Sequence, residues 1–273
     1  WSARPIGAVV TRTTAPHTSA SRERLDKLLV ERGLESSRER AQRRIMAGEV
    51  VVDSQRIDKP GTLVACDAEV VVRSSRADFV SRGGLKLQAA LDHWQLDVSG
   101  LAAADIGAST GGFTDCLLQG GAMSVLAIDV GYGQFAWSLR GDPRVRLLER
   151  TNVRSMDVAA FVDSVDLAAV DVSFISLRLV LPNVLALLRA GGHLLPLVKP
   201  QFEVGRGQIG RGGVVRDPSL RRAAVASVRD FAIDLGCVYL GDFESPVVGP
   251  KGNHEYFLHL RAPLPQTEGT RGK

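Results

Sequence analysis

Asp105 and Asp129 each follow an apolar run, Leu101 to Ala104 and Ser124 to Ile128, and Asp105 opens the turn D-I-G-A-S-T-G-G-F. A strand, a glycine-rich turn and a helix starting at Phe113 bring backbone N–H groups and a helix N-terminus up to a ligand. Gly107 can take the tight turn, and Gly111 and Gly112 let the backbone approach a bulky ligand closely. Asp129, at the end of the second strand, is placed to accept hydrogen bonds from two ribose hydroxyls. The spacing is not that of the dinucleotide pattern G-x-G-x-x-G, because Ser109 stands where that pattern needs glycine. An acid two residues before the first glycine suits S-adenosylmethionine, which has an amino-acid head and no pyrophosphate. The expected cofactor residues are Asp105, Gly107, Ser109, Gly111, Gly112 and Asp129, with Asn152, after the third strand, toward the adenine. The competing reading is a glycine loop that only turns the chain, and the position of Asp129 weighs against it.

Asp171 ends a further apolar strand in V-D-V-S-F, and Lys199 follows L-L-P-L-V. Enzymes that methylate exocyclic base amines usually follow such an acid with two prolines and an aromatic residue. Val172, Ser173 and Phe174 stand there instead, which disfavours a base amine as target. Cytosine C5 chemistry needs a nucleophilic cysteine, and none sits near these strand ends. Burial at a strand end disfavours the charged form of a lysine, and a neutral Lys199 could take a proton from a hydroxyl. The same lysine could equally be a structural partner of Asp171.

The elements that must position these residues alternate. Strands are expected near 101–106, 124–129, 144–149, 166–171, 192–199, 237–242 and 255–261, and helices near 83–95, 113–119, 132–139, 176–189 and 218–236. Alternation of this kind predicts a doubly wound, mainly parallel sheet whose ligands bind outside the C-terminal strand ends. Asp105, Asp129, Asp171 and Lys199 all fall at or beside such ends. At 273 residues and 45% hydrophobic content, the chain can hold this domain and a smaller one. Three cysteines lie far apart without a C-x-x-C pair, so neither a disulfide framework nor a zinc site is expected, and the chain suits a reducing, cytoplasmic setting. The longest apolar stretch, Leu179 to Val198, is broken by Pro182, Asn183, Arg189, Gly191, Gly192 and His193. It reads as a helix, a glycine stop and a buried strand rather than a membrane span.

Residues 1–20 and 263–273 read as a disordered leader and tail, 75–82 as a linker, and 21–74 as a separate small unit. In that unit Leu25, Leu28 and Leu29 share one face of a helix ending at Gly33. Ser36 and Glu39 make a capping-box pattern for a second helix, which stops at Gly48. Arg40, Arg43 and Arg44 share a helix face, with Arg38 close by. Interleaved acids leave a merely solvated face as the alternative to phosphate contact. The arrangement R-L-D-K-L-L-V-E-R-G-L then S-R-E-R-A-Q-R-R-I-M-A-G-E-V-V-V-D resembles the small RNA-binding domain of the fourth small-subunit ribosomal protein. That resemblance implies that Arg38, Arg40, Arg43, Arg44 and the Gly48 turn face RNA.

Ser81-Arg-Gly-Gly-Leu-Lys86, D-I-G-A-S-T-G-G-F, D-V-G-Y-G-Q, E-R-T-N, D-V-S-F-I-S-L, L-V-K-P-Q-F-E and G-N-H-E-Y-F occur in that order. Together they resemble the TlyA family over residues 22–262: RNA ribose 2′-O-methyltransferases with an FtsJ-like catalytic domain, historically also called haemolysins. The resemblance implies an α/β, Rossmann-like methyltransferase sheet over 83–262 with a small α+β RNA-binding domain before it. It places a catalytic Lys-Asp-Lys-Glu tetrad on Lys86, Asp171, Lys199 and Glu255. Lys199, oriented by Asp171 and Glu255, would act on the 2′-hydroxyl, with Lys86 helping to position it and no metal required. The implied substrates are cytidine riboses of 16S and 23S ribosomal RNA, met as RNA or as ribosomal subunits, with no obligate protein partner evident. The competing functions are a membrane-lytic haemolysin and an RNA-binding protein with an inactive enzyme domain.

Overall fold

The computed structural model describes residues 21–35, 37–46, 48–72, 79–210 and 212–264. The leader 1–20, Ser36 of the expected capping box, linker residues 75–78 and the tail from 265 onward lie outside them. The chain divides into two compact units, Trp1–Ala77 and Asp78–Lys273.

The first unit runs β1 (Arg22–Arg24), α1 (Leu25–Glu31), α2 (Arg38–Met46), β2 (Val50–Val52), β3 (Gln55–Ile57), β4 (Leu63–Ala65) and β5 (Val70–Val72). Leu25, Leu28 and Leu29 recur at the helical period, so α1 offers one apolar stripe. It packs with Ala41 and Ile45 of α2 on Val50, Val52 and Val70. Ser37 supplies an N-terminal cap for α2, its Oγ accepting from the Arg40 amide at 3.3 Å. Gly33 and Gly48 both take left-handed backbone where the helices stop. The antiparallel pair β1–β4 is an addition to the expected elements.

The second unit continues with α3 (Arg82–Trp94), β6 (Ala102–Ile106), α4 (Gly112–Gln119), β7 (Ser124–Ile128), α5 (Trp137–Arg140), β8 (Val145–Leu148), β9 (Val165–Val170), α6 (Leu181–Leu187), β10 (Leu188–Val198), α7 (Pro200–Glu203), α8 (Pro218–Asp234), β11 (Val238–Glu244) and β12 (Tyr256–Arg261). The sheet order is β11-β12-β10-β9-β6-β7-β8. The five strands from β8 to β10 are parallel, and β12 runs antiparallel to both β10 and β11. This is the expected α/β, Rossmann-like sheet. Alternate residues of each strand go to opposite faces. Ala104, Ile106, Ala168 and Val170 pack with α6 and α8, whereas Ala103, Leu167 and Ala169 pack with α3 and α4. Strand order reverses direction at β6, flanked by β7 and β9, and the crevice beyond its C-terminal end is where such sheets bind ligands.

Three expected elements are corrected. The helix near 132–139 is only Trp137–Arg140. Gly133 takes φ +75° and its amide donates to Glu149 Oε1 at 2.7 Å, which holds the preceding residues as a loop. The helix near 176–189 is a 3₁₀ turn at Leu177–Leu179 followed by α6, with Pro182 in its first turn. Strand β10 starts at Leu188 instead of 192, and its pairing with β9 is irregular between Leu188 and His193, where Gly191 takes φ +71°.

Candidate active site

Gly107 follows β6 with φ +87°, and a Cβ there would lie 2.5 Å from the Asp171 carbonyl oxygen. The end of β9 thus passes against the turn, and only glycine fits. Ser109 adopts the left-handed conformation itself, φ +49°, and its amide donates to Asp129 Oδ2 at 2.7 Å. Asp129 Oδ1 accepts from the Gly131 amide at 2.6 Å. The carboxylate therefore ties the glycine-rich turn to the loop after its own strand.

Asp105 is fully buried. Its Oδ2 accepts from the Thr114 amide at 2.8 Å and the Thr114 hydroxyl at 2.7 Å, while Oδ1 has no hydrogen-bond partner among the described residues. Burial pushes its carboxyl up to about 7 against the two Thr114 hydrogen bonds, with Asp171 and Asp129 adding to the rise. A cation at Oδ1 would relieve that cost.

Two cavities meet here. The smaller, about 240 Å³, is lined by Ser81, Lys86, Asp105, Gly112, Asp171 and Gly249 among others. The larger, about 500 Å³, is lined by Asp129, Gln134, Asn152, Asp171, Val172 and Phe174 among others. Gly107, Ser109 and Asp171 belong to both. A ligand with a cationic amino-acid head and a nucleoside fits this layout: a buried carboxylate whose Oδ1 has no partner among the described residues at one end, a strand-end carboxylate and an apolar slot at the other. The Asn152 side chain reaches the larger cavity but is partly engaged, since Oδ1 accepts from the Arg154 amide at 3.0 Å. Gly111 lines neither of these cavities. At φ +92° its missing Cβ makes room for Leu139, 2.6 Å away, which gives this glycine a packing role. A Cβ on Gly112 would strike Ser81 Oγ at 2.2 Å, so that glycine is set by the start of α3.

The tetrad residues form two ion pairs. Lys86, on α3, puts Nζ 2.6 Å from Glu255 Oε2, with Glu255 fully buried before β12. Lys199, after β10, puts Nζ 2.5 Å from Asp171 Oδ1 and donates to Ser173 Oγ at 2.8 Å. The expectation that Glu255 orients Lys199 is corrected: among the described residues Glu255 pairs with Lys86. Lys199 is not among the lining residues of either cavity, but its Nζ contacts Asp171, which lines both, and Ser173, which lines the larger.

Three features were not foreseen as parts of the site. Ser173 is a second acceptor for Lys199. Phe174 takes φ +64° and is 90% exposed, its ring 5.1 Å from that of Phe202. Arg150, φ +53°, lies 4.2 Å over the exposed Tyr132 ring. The aromatic residue in V-S-F and the E-R-T-N tetrapeptide carried the signal, but neither says which way a side chain points.

Residues 79–262 match the FtsJ-like methyltransferase family and residues 23–70 the S4 domain. A 16S/23S rRNA (cytidine-2′-O)-methyltransferase, TlyA of Mycobacterium tuberculosis, is 49% identical over 254 residues, covering 93% of this chain and 95% of the relative. The chain belongs to the TlyA family. Hemolysin A of Brachyspira hyodysenteriae, another relative, is 37% identical over 87% of this chain and 99% of its own. A solved Streptococcus thermophilus structure, provisionally described as a hemolysin, superposes with TM-score 0.67 at 44% identity, covering 90% of both chains. As a TlyA-family member this chain is a methyltransferase, and S-adenosylmethionine is its methyl donor.

In its S4 domain the arginines are largely committed within the fold. Arg38 donates to the buried Asp26 at 3.1 Å, beside Arg24 and Gln42. These partners, Arg24 above all, hold the Asp26 carboxyl well below the usual range. Arg40 and Arg44 both pair with Glu35, and Arg44 also with Glu49. Arg43 is exposed and makes no ion pair among the described residues. The Arg56 guanidinium occupies the space a Cβ on Gly48 would take, so a further cation lies at that turn.

Proposed function

We propose that this chain methylates the ribose 2′-hydroxyl of cytidines in 16S and 23S ribosomal RNA, acting on RNA or ribosomal subunits in the cytoplasm. The observation that carries the reading is the Lys199–Asp171–Ser173 cluster at the strand ends, with Asp171 lining both cavities. Bound S-adenosylmethionine supplies an activated sulfonium methyl. Asp105, through the Oδ1 that has no partner among the described residues, would hold the cofactor's ammonium, and Asp129 would hold its ribose. Lys199 Nζ, steered by two acceptors, takes the proton of the 2′-hydroxyl as that oxygen attacks. The Lys86–Glu255 pair fixes the wall of the smaller cavity. Alignment of the hydroxyl supplies much of the acceleration, because the methyl is already activated.

An RNA substrate also fits the rim. The exposed Phe174 ring, part of the larger cavity's lining, offers a base-stacking face, and the Arg150–Tyr132 stack, next in sequence to the lining residues Thr151 and Gly131, offers a cation. The S4 domain adds the exposed Arg43 as a phosphate contact, while the exposed Arg38 and Arg40 are engaged by Asp26 and Glu35.

Mapping 2′-O-methyl positions on ribosomal RNA from cells with and without this gene tests the reading, which requires cytidine sites that vanish with the gene. The haemolysin name of some relatives supplies the second reading. No helix among the described residues is long and apolar enough to cross a membrane. Leakage of dye-loaded liposomes by the purified protein, with no gene-dependent rRNA methyl groups, would favour the lytic reading instead.

A further inference from the structure

Helix α7 is a single turn, yet its two ends hold the loop that leaves β9. At its start, Lys199 reaches Asp171 and Ser173 of that loop. At its end, Glu203 Oε2 accepts from the Ser176 hydroxyl at 2.6 Å and Oε1 from the Leu177 amide at 2.8 Å. Between these attachments the Phe202 ring meets Phe174. The four-residue spacing of Lys199 and Glu203 is one helical turn, and Pro200 at the first position presets its backbone.

The bracketed loop needs holding. Phe174 has left-handed backbone without being glycine, a conformation that costs on the order of 1–3 kcal/mol and persists only when neighbours fix it. Its ring is 90% exposed, so burial of that side chain does little of the fixing. Glu203 is itself partly buried, and burial pushes its carboxyl up against the two hydrogen bonds that lower it. A carboxylate kept there at a desolvation cost, with both oxygens spent on adjacent loop residues, has the geometry of a clamp.

We infer that Glu203 is a positioning residue for methyl transfer, holding the Asp171–Leu177 loop so that Asp171 and Ser173 meet Lys199 and Phe174 stays on the cavity rim. This rests on the methylation reading given above for its functional half. A carboxylate that merely capped the 3₁₀ turn at Leu177–Leu179 would affect stability and leave the transfer step alone.

The test uses the full chain with Glu203→Ala and Glu203→Gln. Hydrogen exchange is followed over the 172–178 backbone, single-turnover methyl transfer to ribosomal subunits is timed, and S-adenosylmethionine affinity is measured by calorimetry. Misplacing reacting groups by about 1 Å costs up to ~100-fold, so Glu203→Ala is expected to slow transfer roughly 10–100-fold. It should also speed exchange in 172–178 and leave cofactor affinity near wild type. Glu203→Gln, whose amide can accept from Leu177 and donate to Ser176, should recover most of both. Unchanged exchange in 172–178 overturns the clamp, and faster exchange with an unchanged transfer rate overturns the positioning role. Should the wild-type protein methylate no ribosomal RNA, the methylation reading falls and the positioning role with it, while the exchange data still decide whether the clamp exists.

Discussion

Glu255 holds Lys86, across 169 residues of sequence, and not Lys199. The tetrad is thus two buried or half-buried pairs, each tying an element from outside the glycine turn to a strand end. Removing one partner of a buried pair leaves an uncompensated charge and costs about 3–5 kcal/mol, whereas removing both costs less. Glu255→Ala alone should therefore lower the urea midpoint more than Lys86→Met combined with Glu255→Leu. Equal or greater loss in the double variant would contradict a coupled pair.

Asp105 sets a pH dependence for cofactor binding. Its carboxyl is raised to about 7, so the folded, ligand-free protein keeps the proton through a window in which the unfolded chain has lost it. The folded state binds more protons there, and this group's contribution to stability falls as pH rises from about 4 to 7. An ammonium at Oδ1 favours the ionised form, so S-adenosylmethionine should bind more tightly as pH rises through about 7. Below that pH binding should release a proton. Calorimetry in two buffers of different ionisation enthalpy reads the release near pH 6, and Asp105→Asn should remove it. Buffer-independent heats at that pH in the wild type would count against Asp105 as the ammonium site.

His193 and His259 share a hydrogen bond of 2.8 Å between β10 and β12. Burial lowers both to about 4, with Arg261 pushing the same way. An unfolded histidine titrates near 6.5, so between about 6.5 and 4 the unfolded chain takes up protons that the folded one refuses. Stability from this pair is complete above about 6.5 and drains as pH falls toward 4. Thermal melts from pH 7.5 to 4.5 should fall more steeply for wild type than for His193→Gln combined with His259→Gln. Parallel curves would show that the pair does not govern this range.

Much of the site could be read from order along the chain. Apolar runs ending in acids marked β6, β7 and β9, because parallel strands buried on both faces read as near-continuous apolar stretches. Ser109 broke the dinucleotide pattern, and the structure shows it in the left-handed conformation a glycine would take there. What stayed hidden is tertiary. That Glu255 would choose Lys86, that Glu203 would fold back on Ser176, and that Asp26 and Glu35 would occupy Arg38, Arg40 and Arg44 depends on elements far apart in sequence. Gly111 and Gly112 read as ligand glycines in the sequence; the structure adds that their missing Cβ atoms also make room for Leu139 and Ser81, contacts no spacing reveals, while Gly112 still lines the smaller cavity.

The S4 arginines divide by their partners. Arg43, exposed and without an ion pair among the described residues, should act only on RNA: Arg43→Ala should weaken rRNA binding and reduce the salt slope of log affinity by about 1. Arg38→Ala removes a donor from the buried Asp26 and should also lower the melting temperature, which Arg43→Ala should not. Filter binding across a salt series, with melts of both variants, separates the two effects. An unchanged slope for Arg43→Ala would remove it from the RNA interface.

On the proposed reading, Lys199 takes the proton of the ribose hydroxyl. Lys199→Arg keeps a cation beside Asp171 and Ser173, but a guanidinium stays protonated and cannot act as a base. Single-turnover methyl transfer to the wild-type enzyme's rRNA substrate should fall by about 10²-fold or more for both Lys199→Arg and Lys199→Ala. S-adenosylmethionine affinity should stay within about twofold in both, because Lys199 acts at the hydroxyl and not on cofactor binding. A Lys199→Arg enzyme that transfers methyl at near wild-type rate would exclude Lys199 as the base, leaving positioning alone to explain the chemistry.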